Sequence, residues 1–540
     1  MYPTPRSHRA PIMGRHGAVG ANHPMATQAG LDILRAGGNA VDASVAISLA
    51  LGVCEPMSSG LGGDGFYHVY MAGTGKAEVF NGTGSAPMAA TPERFRDGIP
   101  VVGPLSVSVP ASLAGIAAMH AAHGRLPWAK LVAPAIALAR DGFIVADDLA
   151  ESLPREASRL KRWPSTVKVF FKSDGTTLSA GDRLTQPDLA ATLQGIAQNG
   201  PRDFYEGATA QKIAEGIRSA GGVMTAEDLK NYRAIERAPV RGTYRGYDIV
   251  SMAPPSSGGI ALIEMLNILE GYDLAHDSQP QELFLLVEAM KRAYADRAYF
   301  LGDPDAVKVP VARLISKSYA AEWRKSIDPE HATAAEDIKP FAAPIDGEGR
   351  NTTHYSVIDR FGNAVSNTYT LNFSYGMGMV ADGTGVLLNN ELDDFAAKPA
   401  VPNAYGLIGF EANAPGPGKR PLSSQTPTIV LKDGKPFLVT GSPGGSLIIN
   451  AVLQVAVNVI DRGLDIAAAV AAPRLYDQWT PDVVLAEPGF PDDAIKTLEA
   501  RGDAVLVGKL PTSTNSILAT PSGFVGAADP RTPGALAVGY

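Results

Sequence analysis

One segment of the chain has its local structure dictated by its own residues. Residues 354–358, HYSVI, and 364–371, AVSNTYTL, are rich in β-branched and aromatic side chains, and DRFGN at 359–363 supplies the turn between them. This predicts an antiparallel β-hairpin. An isolated hairpin is at best marginal in water, so the surrounding chain must supply further strands and a cover for its apolar face. Immediately before it stand Asn351, Thr352 and Thr353. Strand propensity does not explain two threonines at this mouth.

The rest of the sequence alternates helical and extended patterns, which predicts an α/β or α+β body. Helices are expected over 26–35, closed by Gly37-Gly38, and over 39–53, with strands over 66–71 and 77–80. Two more helices fall between 109 and 144, the first ending near His123-Gly124. Residues 257–270 and 281–301 read as apolar-faced scaffold helices. Residues 302–350 change character, with prolines at 304, 310, 329, 340 and 344 and many charges, and read as an exposed connection into Asn351-Thr352. Beyond the hairpin come strands over 428–431 and 437–440, GSPGGS at 441–446 opening a helix over 448–461, and a strand, helix and strand over 482–486, 492–501 and 504–507.

Composition narrows the possible functions. In 540 residues, 45% hydrophobic content suffices for a substantial core, and a net charge of -8 leaves no basic footprint for nucleic acid or anionic membranes. Small molecules are the better match. A single cysteine, Cys54, excludes an internal disulfide and reads as a small buried hydrophobe. The longest apolar stretch, 40–53, is too short for a bilayer, and the first residues lack a secretory pattern, so a cytoplasmic location is expected.

Several motifs fail on context. GLGGDG at 60–65 satisfies G-x-G-x-x-G, but it follows a helix and precedes a strand, the reverse of a dinucleotide loop; a tight turn or close backbone approach fits better. GTGK at 73–76 reads as a hairpin turn. His120 and His123 share a helix face without a third ligand, H-E-x-x-H is absent, and no metal or other cofactor is expected. No serine sits in a nucleophile elbow.

Three polar clusters remain: ELDD at 391–394, PLSS at 421–424 and GSPGGS at 441–446, the last placed where free N–H groups at a helix start can stabilise an oxyanion. Their order, together with AGGNAVDA (36–43), SGLGGDGF (59–66), PPSSGG (254–259), AYADRAYFLGDPD (293–305), TTHYSVID (352–359), TYTLN (368–372), LLNNELDDF (387–395), KRPLSSQTPTIV (419–430), TGSPGGS (440–446) and GAADPRTPG (526–534), resembles the γ-glutamyltranspeptidase family of N-terminal nucleophile hydrolases.

The resemblance implies an α+β fold, a four-layer αββα sandwich. It also implies a precursor that cuts itself between Asn351 and Thr352, giving intertwined chains of 1–351 and 352–540. By residue-wise carry-over, Thr352 is the nucleophile, Thr370 its supporting hydroxyl, and Gly444 and Gly445 the oxyanion donors. Asn372, Glu391 and Asp394 hold the substrate's α-amino group, Ser423 and Ser424 contact its α-carboxylate, and Tyr405 belongs to a lid loop, while Thr353 and His354 point elsewhere. The implied reaction is hydrolysis or transfer of a γ-glutamyl-type acyl group to water or an amino acid.

One departure stands out: Thr83, in NGTGSAP, occupies the place of a family arginine that pairs with the substrate carboxylate, and Arg94 and Arg96 are the nearest replacements in sequence. The alternatives are a divergent member acting on another amide, such as a glutaryl-cephalosporin acylase or oxamate-type amidohydrolase, and, in another class, a non-catalytic small-molecule binding protein.

Overall fold

The computed structural model describes residues 9–338 and 352–540. Asn351, and 339–350 of the expected connection, lie outside the described residues.

Two seven-stranded antiparallel sheets form the centre of the molecule. One runs, in spatial order, Leu536–Gly539, Ala18–Ala21, Thr353–Ile358, Ala364–Thr370, Asp64–Met71, Lys76–Gly82 and Ile235–Arg237. The other runs Ile12–Gly14, Gly523–Ala527, Ser516–Thr520, Lys435–Thr440, Thr428–Lys432, Tyr247–Ser251 and Val240–Tyr244. Tyr70, Ile358 and Ala364 of the first meet Val250, Ile429, Leu431, Val439 and Ile517 of the second in a shared apolar layer. Helices cover the outer faces: Pro24–Arg35, Ala40–Cys54, Ser112–His123 and Trp128–Asp141 on the hairpin sheet, and Gly258–Leu269, Gln279–Phe300 and Ile448–Ile460 on the other. This is the expected αββα sandwich. No helix among the described residues is long and apolar enough to cross a membrane.

Local sequence accounts for the helix starts. Asn39 accepts from the Asp42 N–H while the Asp42 carboxylate accepts from the Asn39 N–H, a reciprocal cap that begins Ala40–Cys54. That helix is apolar around most of its circumference and is buried on nearly all of it, as such a pattern requires.

The two ends of the chain are interleaved. The predicted hairpin lies between strands from the first half, with Tyr355 to Ile358 paired to Ala21 to Ala18 and Ala364 to Thr370 paired to Tyr70 to Asp64. In the other sheet Ile429, Val430 and Leu431 pair with Val250, Ile249 and Asp248.

Period-two alternation sorts the hairpin's side chains. Thr353 and Tyr355 face the helices, where Thr353 Oγ1 donates to Glu55 Oε2 at 2.7 Å and the Tyr355 hydroxyl meets Ser48 Oγ at 2.7 Å. His354, Ser356, Ser366 and Thr368 face the opposite sheet; Ser366 Oγ donates to the Thr440 carbonyl at 2.9 Å.

The region after 302 departs from expectation. It is not a plain exposed connection, because Lys317–Lys325 is a helix capped by Ser316 that buries Tyr319. The Tyr319 hydroxyl donates to Asp296 Oδ2 at 2.8 Å and Trp323 Nε1 donates to the same oxygen at 3.0 Å. Two aromatic residues one helical turn apart give this charged stretch an anchor to the core.

Glu55, beneath Thr353, is buried, and desolvation pushes its carboxyl up to about 8 from 4.5, an effect that the Thr353 hydrogen bond only partly offsets. The folded protein keeps this proton across that window while the unfolded chain has released it, so stability falls as pH rises from about 4.5 to about 8. Glu55→Gln is expected to flatten the fall in melting temperature over that range; an unchanged slope would place its source elsewhere.

Candidate active site

Extending the hairpin register by one residue beyond the pair Thr353 and Tyr369 sets Thr352 opposite Thr370. Thr352 Oγ1 donates to Thr370 Oγ1 at 3.2 Å, and the same Thr370 oxygen accepts from the Asn372 N–H at 2.8 Å. The backbone nearby is crowded. A Cβ on Gly63 would lie 1.9 Å from the Thr370 carbonyl oxygen, and one on Gly62 would lie 2.0 Å from that of Leu387. GLGGDG is therefore a close-approach segment, as its context implied, that lets the chain pass beside Thr370.

His354 lies on the face shared with Thr352 but deeper between the sheets. Its Nδ1 bonds Thr368 Oγ1 at 3.0 Å, its Nε2 bonds Ser356 Oγ at 3.1 Å, and burial pulls its pKa down to about 3. A neutral imidazole with both nitrogens occupied is poorly suited to act as a general base. It works instead as a wedge: a Cβ on Gly441 would come within 2.3 Å of His354 Cε1.

Thr352 opens onto a pocket with about 340 Å³ of empty space. Thr370, Asn372, Glu391, Asp394, Tyr405, Ser423, Ser424 and Gly445, all nominated by sequence, line it with Thr352. Gly444 stands one residue behind the lining, with φ of 130°, and Gly445 has φ of 57°. Among the described residues neither of their N–H groups has an acceptor. Tyr405 packs on this turn and stacks on Phe373 with ring centroids 5.0 Å apart; its hydroxyl donates to Asn372 Oδ1. Asn372 Nδ2 donates to the Asn390 carbonyl at 3.0 Å, so both ends of this amide are held.

The acidic wall is a one-turn helix, Glu391–Asp394. Glu391 Oε1 is buried with no hydrogen-bond partner among the described residues. Desolvation, followed by repulsion from Asp64 and Asp394, pushes the Glu391 carboxyl well above the usual carboxylate range. Asp394 is raised for the same first reason and then by Asp393, with Arg297 opposing. Burial lifts Asp393 to about 6 and Asp64 to about 7. A cation in contact with these carboxyls would favour their ionised forms.

The expected replacement arginines are elsewhere. Arg94 and Arg96 are exposed, and Arg94 Nε donates to the Ala89 carbonyl at 3.1 Å. Thr83 is buried, but its N–H donates to Asn81 Oδ1 at 2.9 Å and its hydroxyl donates to the same oxygen. Arg297, which sequence reasoning had assigned to scaffold, lines the pocket instead. It comes from the last turn of Gln279–Phe300, and the available signal was a run of charges, KRAYADR, in a helix that turns out to be buried along most of its length. His120 and His123 use their rings on the Leu126 carbonyl, at 2.9 Å, and on Glu78, and no cluster of three metal-ligating side chains occurs among the described residues.

A family model described as gamma-glutamyltranspeptidase matches residues 26–539. The glutathione hydrolase proenzyme of Escherichia coli (strain K12) is 47% identical over 98% of this chain and 93% of its own length. The acylase ACY 1 proenzyme of Pseudomonas sp. (strain SE83) is 39% identical over 95% of this chain and 92% of its own. Among solved structures, cephalosporin acylase from Bacillus halodurans matches with a TM-score of 0.89 at 32% identity, over 100% of this chain and 98% of its own.

A Cβ on Gly445 would meet Tyr405 Cε1 at 2.4 Å at a backbone angle suited to glycine. Gly445→Ala keeps the N–H but must shift the turn or Tyr405, so it is expected to lower kcat on an amide substrate by about 100-fold or more, as for loss of one oxyanion donor, and to lower the melting temperature as well. Wild-type turnover in that variant would show that the turn has no such part.

Proposed function

The chain belongs to the γ-glutamyltranspeptidase family, and from that premise we propose that it is a self-cleaving enzyme whose nucleophile is Thr352 and whose donor is a γ-glutamyl amide. Maturation begins with attack of the Thr352 hydroxyl on the carbonyl of residue 351. The resulting ester is opened by water, which leaves a free N-terminal threonine. Strand pairing across the two halves would hold the pieces together after the cut.

The new α-amino group, with a reference pKa of roughly 7.7 to 8.0, accepts the proton of its own hydroxyl as Oγ1 attacks the γ-carbonyl. Thr370 steadies that hydroxyl, and in this reading the Gly444 and Gly445 N–H groups donate to the oxyanion. Collapse breaks the C–N bond, the threonine ammonium passes its proton to the leaving amine, and an acyl ester remains. Water or an amino-acid amine then reverses the sequence. Every step uses groups of the chain and the two substrates, with no cofactor.

The observation that carries the donor assignment is the unpartnered, buried Glu391 Oε1 in the wall of the Thr352 pocket, with Asp394 beside it. An α-ammonium supplies the missing donors and the compensating charge. A glutaryl donor has no ammonium and would leave the acidic wall protonated. The acylase relatives keep that donor as the competing reading.

Mass spectrometry of purified protein is expected to show two chains, with the second beginning at Thr352. Thr352→Ala should remain one chain and show no turnover. A panel of γ-glutamyl, glutaryl and oxamyl amides should favour the γ-glutamyl compound, and preference for glutaryl would overturn the donor assignment.

A pH dependence follows. Because burial favours the protonated forms of Glu391 and Asp394 and a bound ammonium favours their ionised forms, KM for the γ-glutamyl donor should fall as pH rises above the usual carboxylate range. A glutaryl amide should show no such fall, and a flat KM profile for both donors would count against the acidic wall as the ammonium site.

A further inference from the structure

We infer that Arg297 is the residue that fixes the donor's carboxylate, and so sets the preference for acyl groups carrying one. This deepens the γ-glutamyl reading and rests on it for the donor's identity.

Arg297 is 4% exposed and lines the pocket that contains Thr352 and Asp394. Its Nε donates to Ser257 Oγ at 3.0 Å and one terminal nitrogen, Nη2, donates to Ser424 Oγ at 3.2 Å. No carboxylate oxygen among the described residues comes within 4.0 Å of it. Other deeply buried guanidiniums are matched: Arg292 holds Glu288 at 2.6 Å, and Arg474 holds Asp529 at 2.7 Å. Arg420, the remaining buried arginine nearby, donates to the carbonyls of Thr83 and Arg233 and lies over the Tyr232 ring. In the pocket wall Arg297 is a guanidinium with no carboxylate at ion-pair distance, Asp394 acting on it only from farther away.

An unpaired buried charge is costly, and an anion brought by a ligand removes that cost. Planar donors in a fixed fork suit a carboxylate better than any other group of comparable size. Ser424, whose oxygen accepts from Nη2, keeps its own hydroxyl proton for the same anion. With Glu391 and Asp394 receiving an ammonium, the pocket has opposite charges for the two groups on one α-carbon. A hydroxyl at position 83, already bonded to Asn81, is not needed for this.

The test compares two donors that differ only in the carboxylate: γ-glutamyl-p-nitroanilide and 4-aminobutyryl-p-nitroanilide. Arg297→Gln should lower kcat/KM for the first by about 10- to 100-fold, the range for a lost hydrogen bond to a charged group, and change the second by no more than about 3-fold. Arg297→Lys should fall between, keeping charge but losing the fork. An equal loss on both donors would reduce Arg297 to a structural role and overturn the proposal. Release of the second chain, followed by mass spectrometry, reports whether each variant folds.

Wild-type enzyme gives a measurement free of that concern. L-glutamate should inhibit about 10-fold or more better than 4-aminobutyrate, and equal inhibition would sink the idea. If the wild type prefers glutaryl amides, the γ-glutamyl reading fails by itself. Arg297→Gln should then lower glutaryl turnover, and retained turnover would overturn the role of Arg297 as well.

Discussion

The placement of Thr352 depends on the antiparallel pairing of Thr353–Ile358 with Ala364–Thr370, because that register alone sets Thr352 across from Thr370. A slip of one residue would turn every side chain to the other face, sending Thr352 toward the helices and Thr353 into the pocket. The structure prevents this on both sides. Tyr355 is tied to Ser48, Thr353 to Glu55, and His354 fills the space above Gly441 between the sheets. Position is thus secured by the packing of its neighbours rather than by the single hydroxyl contact of Thr352.

Interleaving gives the same arrangement a second consequence. Strands of the first half flank the hairpin, so a break before Thr352 would free a terminus without removing any of the strand pairings described around it. A new amino group could then appear beside its hydroxyl within an already folded site. Catalytic geometry would precede the chemistry that activates it.

The pocket's electrostatics follow from burial. Four acidic side chains, Asp64, Glu391, Asp393 and Asp394, are held above their ordinary pKa chiefly by desolvation, while Arg297 sits nearby with serine hydroxyls for partners. Such an arrangement suits a zwitterionic ligand, whose two charges would offset the desolvation of these groups. Gly444 and Gly445 add N–H donors at a turn whose positive φ values only glycine adopts readily.

The sequence by itself determined the hairpin, the main helices, the family resemblance and most of the pocket lining, because β-branched runs, capping residues and glycine turns are local signals. Thr352, Thr370, Glu391, Asp394, Ser423 and Ser424 were legible through the family resemblance, which rests on the order of many short motifs, since each motif alone has a duller reading. The part of Arg297 and the Tyr319 helix were not: one stands in a motif of the resemblance but on a helix that reads as scaffold, the other in a stretch that reads as a charged connector. Whether a charge is solvated or buried depends on what packs against it, and Gln279–Phe300 is enclosed by elements distant in sequence. Replacements for an arginine at position 83 could be sought along the chain only among its neighbours, Arg94 and Arg96. The tertiary structure decided otherwise, because a guanidinium reaches a pocket through space, and Arg297, far from Ser424 in sequence, donates to its hydroxyl.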